Sequence, residues 1–164
     1  MKIFLIGLPG SGKTTIGLQL AQELKFRYLD LDKVLEAKNG RFIEEIWTKD
    51  GEAFFRQLEK EVLQDDIPED GDYVIACGGG VVLDSDNKKY LNGLIIFLDT
   101  DVKVLSERLK TEESKRPLMK NVSIEMLDQE RFMKYKDFAD IIVSNNYNPE
   151  TSIKVILNYI KAMQ

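Results

Sequence analysis

The chain has 164 residues, enough for one compact domain around a single buried core. Hydrophobic residues make up 43% and charged residues 31%, a balance that excludes an intrinsically disordered chain. With 23 basic against 28 acidic residues the net charge is −5, which argues against a nucleic-acid partner and makes the position of each arginine informative.

In chain order, Ile3–Ile6 reads as a short buried strand. The apolar run breaks at Gly7 and Pro9, too early for a signal peptide, and no stretch approaches the roughly 20 apolar residues of a membrane span. A cytoplasmic chain with no membrane partner is therefore expected. GLPGSGKT at Gly7–Thr14 fits the pattern Gly-x-x-x-x-Gly-Lys-Ser/Thr at every fixed position. It stands between the strand and a helix over Lys13–Leu24, whose Ile16, Leu20 and Leu24 share one face. This is the context of a P-loop. Its glycines let backbone N–H groups turn toward phosphate oxygens, and the helix N-terminus adds a favourable dipole. Gly10, Ser11, Gly12, Lys13, Thr14 and Thr15 are read as an ATP-binding set. Lys13 would reach the β- and γ-phosphates, and the Thr14 hydroxyl would ligate Mg²⁺. The alternative, a glycine-rich turn without a nucleotide, fits this context poorly.

Tyr28–Leu31 reads as the second strand, placing Asp30 and Asp32 of YLDLD on one side of its end. Both are also good N-caps for a helix over Lys33–Lys38. Helices follow over Ile43–Thr48 and Glu52–Gln64, the latter with Phe55, Leu58 and Val62 at helical spacing. Arg56 lies on that helix, where Glu52 one turn earlier offers a surface ion pair. Tyr73–Ala76 is the third strand. Cys77 after it is the lone cysteine, which rules out an internal disulfide and reads as a buried filler. Gly78–Gly80 is more glycine than a plain turn needs, and it offers close approach and positive φ.

A helix near Ser85–Leu91, a strand at Leu94–Leu98 and a helix at Val102–Leu109 come next. KTEESKRPLMKN at Lys110–Asn121 is either a solvated loop or a mobile lid. The helix Ile124–Phe138 carries Arg131 and Tyr135 on one face, with Asp128 in reach of Arg131 as a surface partner. A strand at Ile141–Val143 and a helix at Pro149–Ala162 end the chain. Strands separated by helices predict parallel pairing. The fold expected is a three-layer α/β/α sandwich on a five-stranded parallel sheet, one P-loop kinase domain over residues 1–164, with ligands at the carboxyl ends of the strands.

The guanine-reading Asn-Lys-x-Asp of GTPases is absent, and a motor ATPase needs a longer chain, so a small-molecule kinase fits best. With no histidine, its general base must be a carboxylate, a lysine or water. The order and spacing of GLPGSGKT, YLDLD, GEAFFRQLE, CGGGVV, RPLM and ERFMKY resemble the shikimate kinase family over essentially the whole chain. That resemblance implies ATP and shikimate as substrates, transfer of the γ-phosphate to the 3-hydroxyl, and a place in aromatic amino acid biosynthesis. It implies that Asp32 binds the ring hydroxyl and accepts its proton, and that Asp30 assists Mg²⁺ through water. It gives Arg56 and Arg131 the shikimate carboxylate, and Gly78, Gly79 and Gly80 the wall of the acceptor pocket. It makes Arg116 a catalytic and ATP-contacting arginine on a lid over residues 110–123, and sets Arg108 beside adenine. In NNYNP, Tyr147 would either stack on adenine or cover the last helix. A monomer is the default. The competing readings are a gluconate or nucleoside monophosphate kinase and a nucleotide-binding regulatory module without turnover.

Overall fold

The computed structural model describes residues 1–110 and 122–164. Five strands, β1 (Lys2–Ile6), β2 (Arg27–Asp30), β3 (Tyr73–Ala76), β4 (Leu94–Asp99) and β5 (Ile141–Ser144), form one sheet in the order β2-β3-β1-β4-β5. Every pairing is parallel, as expected from strands separated by helices. Among the described residues seven α-helices accompany it: α1 (Lys13–Leu24), α2 (Leu31–Asn39), α3 (Ile43–Asp50), α4 (Glu52–Asp65), α5 (Val102–Leu109), α6 (Ile124–Phe138) and α7 (Pro149–Met163).

The strand period of two divides the core. Ile3 and Leu5 of β1 pack with Ile16 and Leu20 of α1 and Ile156 and Ile160 of α7. Phe4 and Ile6 point the other way, into a larger cluster with Leu35 of α2, Phe55 and Val62 of α4, Leu105 of α5 and Tyr135 of α6. The three-layer sandwich follows directly. Because β1 lies between β3 and β4, the loops after β1 and β3 open side by side at the carboxyl edge of the sheet, where ligands of such folds bind.

Two local expectations are corrected. The second strand stops at Asp30, and Leu31 already begins α2, so Asp32 sits in the first helical turn instead of at a strand end. The reason is the cap: Asp30 Oδ1 accepts from the backbone N–H of Asp32 at 3.0 Å and of Lys33 at 3.3 Å. The helix expected near Ser85–Leu91 is a 3₁₀ helix, Ser85–Tyr90, and another short one, Val81–Leu83, precedes it where none was expected. The remaining elements match their predicted spans to within a residue or two. Arg116, and the lid expected over residues 110–123 apart from its edges, lie outside the described residues. Among the described residues no helix is long and apolar enough to cross a membrane.

Candidate active site

The loop Gly7–Thr14 joins β1 to α1. Gly10 and Gly12 adopt φ of +83° and +98°, a region L side chains avoid, so the glycine spacing is what the turn requires. The Lys13 ammonium folds back over the loop, donating to Gly7 O at 2.7 Å and Leu8 O at 3.0 Å. Lys13, Thr14 and Thr15 line the cleft, whereas the Ser11 side chain is buried under the loop beside Gly7, leaving only backbone for a ligand.

The cleft has a volume of about 1020 Å³ and runs from this loop to the far side of β3. What joins its walls is Gly78–Gly80. A Cβ on Gly78 would stand 2.8 Å from Asp32 Oδ1 and 2.8 Å from Glu59 Oε2. One on Gly79 would stand 3.6 Å from Arg131 Nη1 and 3.3 Å from Pro9 of the phosphate loop. One on Gly80 would overlap the Arg56 guanidinium, 2.6 Å from Nη2. None of the three takes positive φ, so the conformational part of the expectation is not met. These glycines supply space. Through them Asp32, Arg56 and Arg131 converge on one cavity opposite Lys13.

Arg56 is held by Glu59, with Nη1 at 3.1 and 3.3 Å from its two oxygens, while Glu52 stands further off at 3.7 Å. Its guanidinium lies over Trp47 and Phe55, at 5.5 and 5.1 Å from their ring centroids. Arg131 is 2% exposed, which removes the reading of a surface pair with Asp128. Nε of both arginines is buried and makes no hydrogen bond, an arrangement that suits an anionic ligand with paired acceptors. Tyr135, one turn after Arg131, donates its hydroxyl to Gly79 O and so ties α6 to the glycine segment.

Electrostatics single out Asp32. Withdrawal from water, then the neighbouring charges of Glu59 and Asp30, push its carboxyl up to about 7, against a smaller opposing pull from Lys13. Burial also raises Glu59, partly offset by Arg56 and Arg131. Cys77 lines the cleft, but burial drives its thiol far up, consistent with an inert filler.

Thr14 and Asp30 both line the cleft, and among the described residues no group of three or more His, Cys, Asp or Glu side chains could cage a metal. One hydroxyl, one carboxylate and open space for phosphate and water is how Mg²⁺ is ordinarily held, so these residues fit that ion. At the other end, Arg108 donates to Gly10 O at 3.0 Å and to Asn145 O at 2.9 Å, bracing the loop besides lining the cleft. Tyr147 is 82% exposed at the cleft margin, so it does not cover α7. Residue patterns alone did not single out Glu59, Trp47 or Asn145. For Glu59 a signal existed: a carboxylate beside Leu58 on the apolar face of α4, three residues after Arg56.

The family model described as Shikimate kinase matches residues 9–161. The shikimate kinase of Rippkaea orientalis is 40% identical, covering 98% of this chain and 88% of that protein. That of Synechococcus elongatus is 38% identical over 99% and 88%. Among solved structures, the Acinetobacter baumannii shikimate kinase in complex with shikimate superposes with a TM-score of 0.92 at 29% identity, covering 99% of this chain and 94% of that one. The Aquifex aeolicus enzyme gives 0.84 at 36% identity, over 98% and 96%. A deoxyadenosine kinase from M. mycoides, at 17% identity and a TM-score of 0.63, shares the wider fold alone. The family match begins inside the phosphate loop and ends within α7, and on that likeness of sequence and fold the chain belongs to the shikimate kinase family.

Proposed function

We propose that this chain, as one P-loop kinase domain, transfers the γ-phosphoryl group of ATP to the 3-hydroxyl of shikimate, giving shikimate 3-phosphate and ADP for aromatic amino acid biosynthesis. The observation that carries this is the convergence of Asp32, Arg56 and Arg131 through Gly78–Gly80 onto the cavity that faces Lys13. A ring bearing both a carboxylate and a hydroxyl suits that set. A nucleoside monophosphate has no carboxylate for the paired arginines; gluconate has one, and the substrate comparison below separates it from shikimate.

In this reading Arg56 and Arg131 clamp the shikimate carboxylate by charge-assisted hydrogen bonds, with Glu59 fixing the Arg56 fork. Asp32 accepts the proton as the hydroxyl oxygen bonds to the γ-phosphorus, and the bond to the β-phosphate oxygen breaks to release ADP. Lys13 exchanges its contacts to Gly7 O and Leu8 O for phosphate oxygens, and Gly10–Thr15 cradle the nucleotide. Thr14 and, through water, Asp30 would hold Mg²⁺, which would supply positive charge to offset that of the phosphates. Arg108 lies against the adenine end, and Arg116 reaches the transferring group from the lid, a role taken from the resemblance. The net charge of −5 and the lack of a long apolar run support a cytoplasmic chain without a nucleic-acid or membrane partner, and a monomer is the default.

The test is ADP release from Mg-ATP with and without shikimate, with product mass measured in parallel. Shikimate-dependent ADP and a phosphorylated shikimate are expected. Turnover with gluconate or a nucleoside monophosphate but not with shikimate would overturn the reading.

A further inference from the structure

Asn145 lies one residue past β5, with its side chain in no contact that a strand or helix requires. It is 3% exposed and its hydrogen-bonding groups are engaged. Its Nδ2 donates to Ser11 O at 2.7 Å, and its Oδ1 lies 2.8 Å from the Ser152 hydroxyl of α7, which shares its proton with Ser144 O. Its own carbonyl accepts from Arg108 of α5 at 2.9 Å and from Thr100 at 3.2 Å. A Cβ on Gly12 would overlap Asn145 Nδ2, so the amide lies flush against the phosphate loop because residue 12 has no side chain.

The consequence follows from the planarity of the peptide. In a trans peptide the carbonyl and the next N–H point in opposite directions. Anchoring Ser11 O therefore fixes the direction of the Gly12 N–H, which must point away from Asn145 and the buried Thr100. A carbonyl accepts only, so the anchor has to be a donor; the Asn145 amide is the nearer one at 2.7 Å, and the Thr100 hydroxyl, shared with Asn145 O, stands further off at 3.4 Å. A rigid anchor matters because a donor already aimed at an anion needs no reorganisation when the anion arrives.

We propose that Asn145 is a positioning residue of the nucleotide site: it aims the Gly12 N–H at the phosphates by holding the Ser11 carbonyl, with Ser152 orienting its amide. This rests on the reading of Gly7–Thr14 as the nucleotide cradle. Neither residue has to touch ATP for the effect to appear.

The experiment compares ADP affinity by calorimetry, and KM for ATP and for shikimate, in wild type, Asn145→Leu, Ser152→Ala and the double variant. Asn145→Leu is expected to weaken ADP binding and raise KM for ATP by about tenfold, with KM for shikimate within about twofold of wild type. Ser152→Ala alone should weaken ADP binding by about two- to threefold and add nothing in the Asn145→Leu background, because both act through one amide. A merely structural role would lower the melting temperature while leaving ADP affinity in place, or would give additive effects, and either result overturns the proposal. If Asn145→Leu does not fold, an unchanged ADP affinity in Ser152→Ala overturns it. A wild-type protein that binds no ADP defeats the cradle reading itself, and this inference with it.

Discussion

At Asp32 function and stability pull in opposite directions. Burial and the charges of Glu59 and Asp30 push its carboxyl up to about 7, against 3.8 for a free aspartate. The folded chain thus binds this proton more tightly than the unfolded chain does, and between those values stability falls as pH rises. A base has to be ionised, so with both substrates well below saturation the rate should fall as pH drops through about 7. Asp32→Asn removes the charge. At pH 8 it should melt above wild type while kcat falls by about 10²–10⁴. A lower melting temperature with kcat intact would take Asp32 out of the base role. Gly80 tests the other side of the cavity. A methyl there overlaps the end of a flexible side chain, the Arg56 guanidinium, so the fold should survive while the clamp moves. Gly80→Ala is expected to raise KM for shikimate by about tenfold or more with KM for ATP unchanged, since a misaimed Arg forfeits its paired hydrogen bonds. Equal changes in both constants would point to a general distortion.

The elements divide into those whose ends are written in side chains and those whose ends are set by tertiary contact. Helix α7 is of the first kind. Asn148 Oδ1 accepts from the Thr151 N–H at 3.0 Å and the Thr151 hydroxyl at 2.8 Å, and Pro149 occupies the first turn. Asn148→Ala should therefore cost about 1 kcal/mol. In a chain of this size that is a drop of about 2–4 °C in melting temperature, readable by calorimetry. Helix α6 is likewise capped, Ser123 Oγ accepting from the Met126 N–H at 3.2 Å, while α1 and α5 have no side-chain cap and still start and stop where periodicity places them. Of the 3₁₀ segments after β3, Ser85–Tyr90 was legible as a helix but not as a 3₁₀ one, and Val81–Leu83 was not legible, because such short runs carry no 3.6-residue pattern and depend on contacts such as Asn87 Nδ2 to Val81 O. Asp30 and Asp32 were legible as a pair but not in geometry, since the cap that starts α2 early competes with strand extension at the same residues. Glu59 was not singled out, although it stands beside Leu58 on the apolar face of α4. Only Arg56 and the space over Gly78 explain why a carboxylate is buried there. Asn145 stood in a polar stretch beyond the last strand, and its partner Ser11 is 134 positions away, a pairing that no local pattern encodes.

On the scale of the whole molecule, the strand order makes the cleft from two separately built walls. The phosphate loop, Arg108 and Asn145 hang from β1, β4 and β5, whereas Arg56 and Glu59 ride on α4 between β2 and β3, and Arg131 reaches their cavity from α6 between β4 and β5. The walls meet chiefly through Gly78–Gly80, so each ligand should be able to stabilise the fold through its own wall. Any ligand that binds only the native state stabilises it by mass action, about 2.7 kcal/mol at one hundred times its dissociation constant. For a chain of this size that amounts to an upward shift of about 5–10 °C. ADP and shikimate, added separately, should each produce such a shift in the wild type. Arg56→Ala should lose the shikimate shift and keep the ADP shift. Lys13→Met should do the reverse, because its ammonium bonds the phosphate loop and takes no part in the arginine clamp. A variant that loses both shifts would mean the walls are one cooperative site. A crossed pattern would place acceptor and nucleotide on the two walls assigned to them, and it can be read without waiting for turnover.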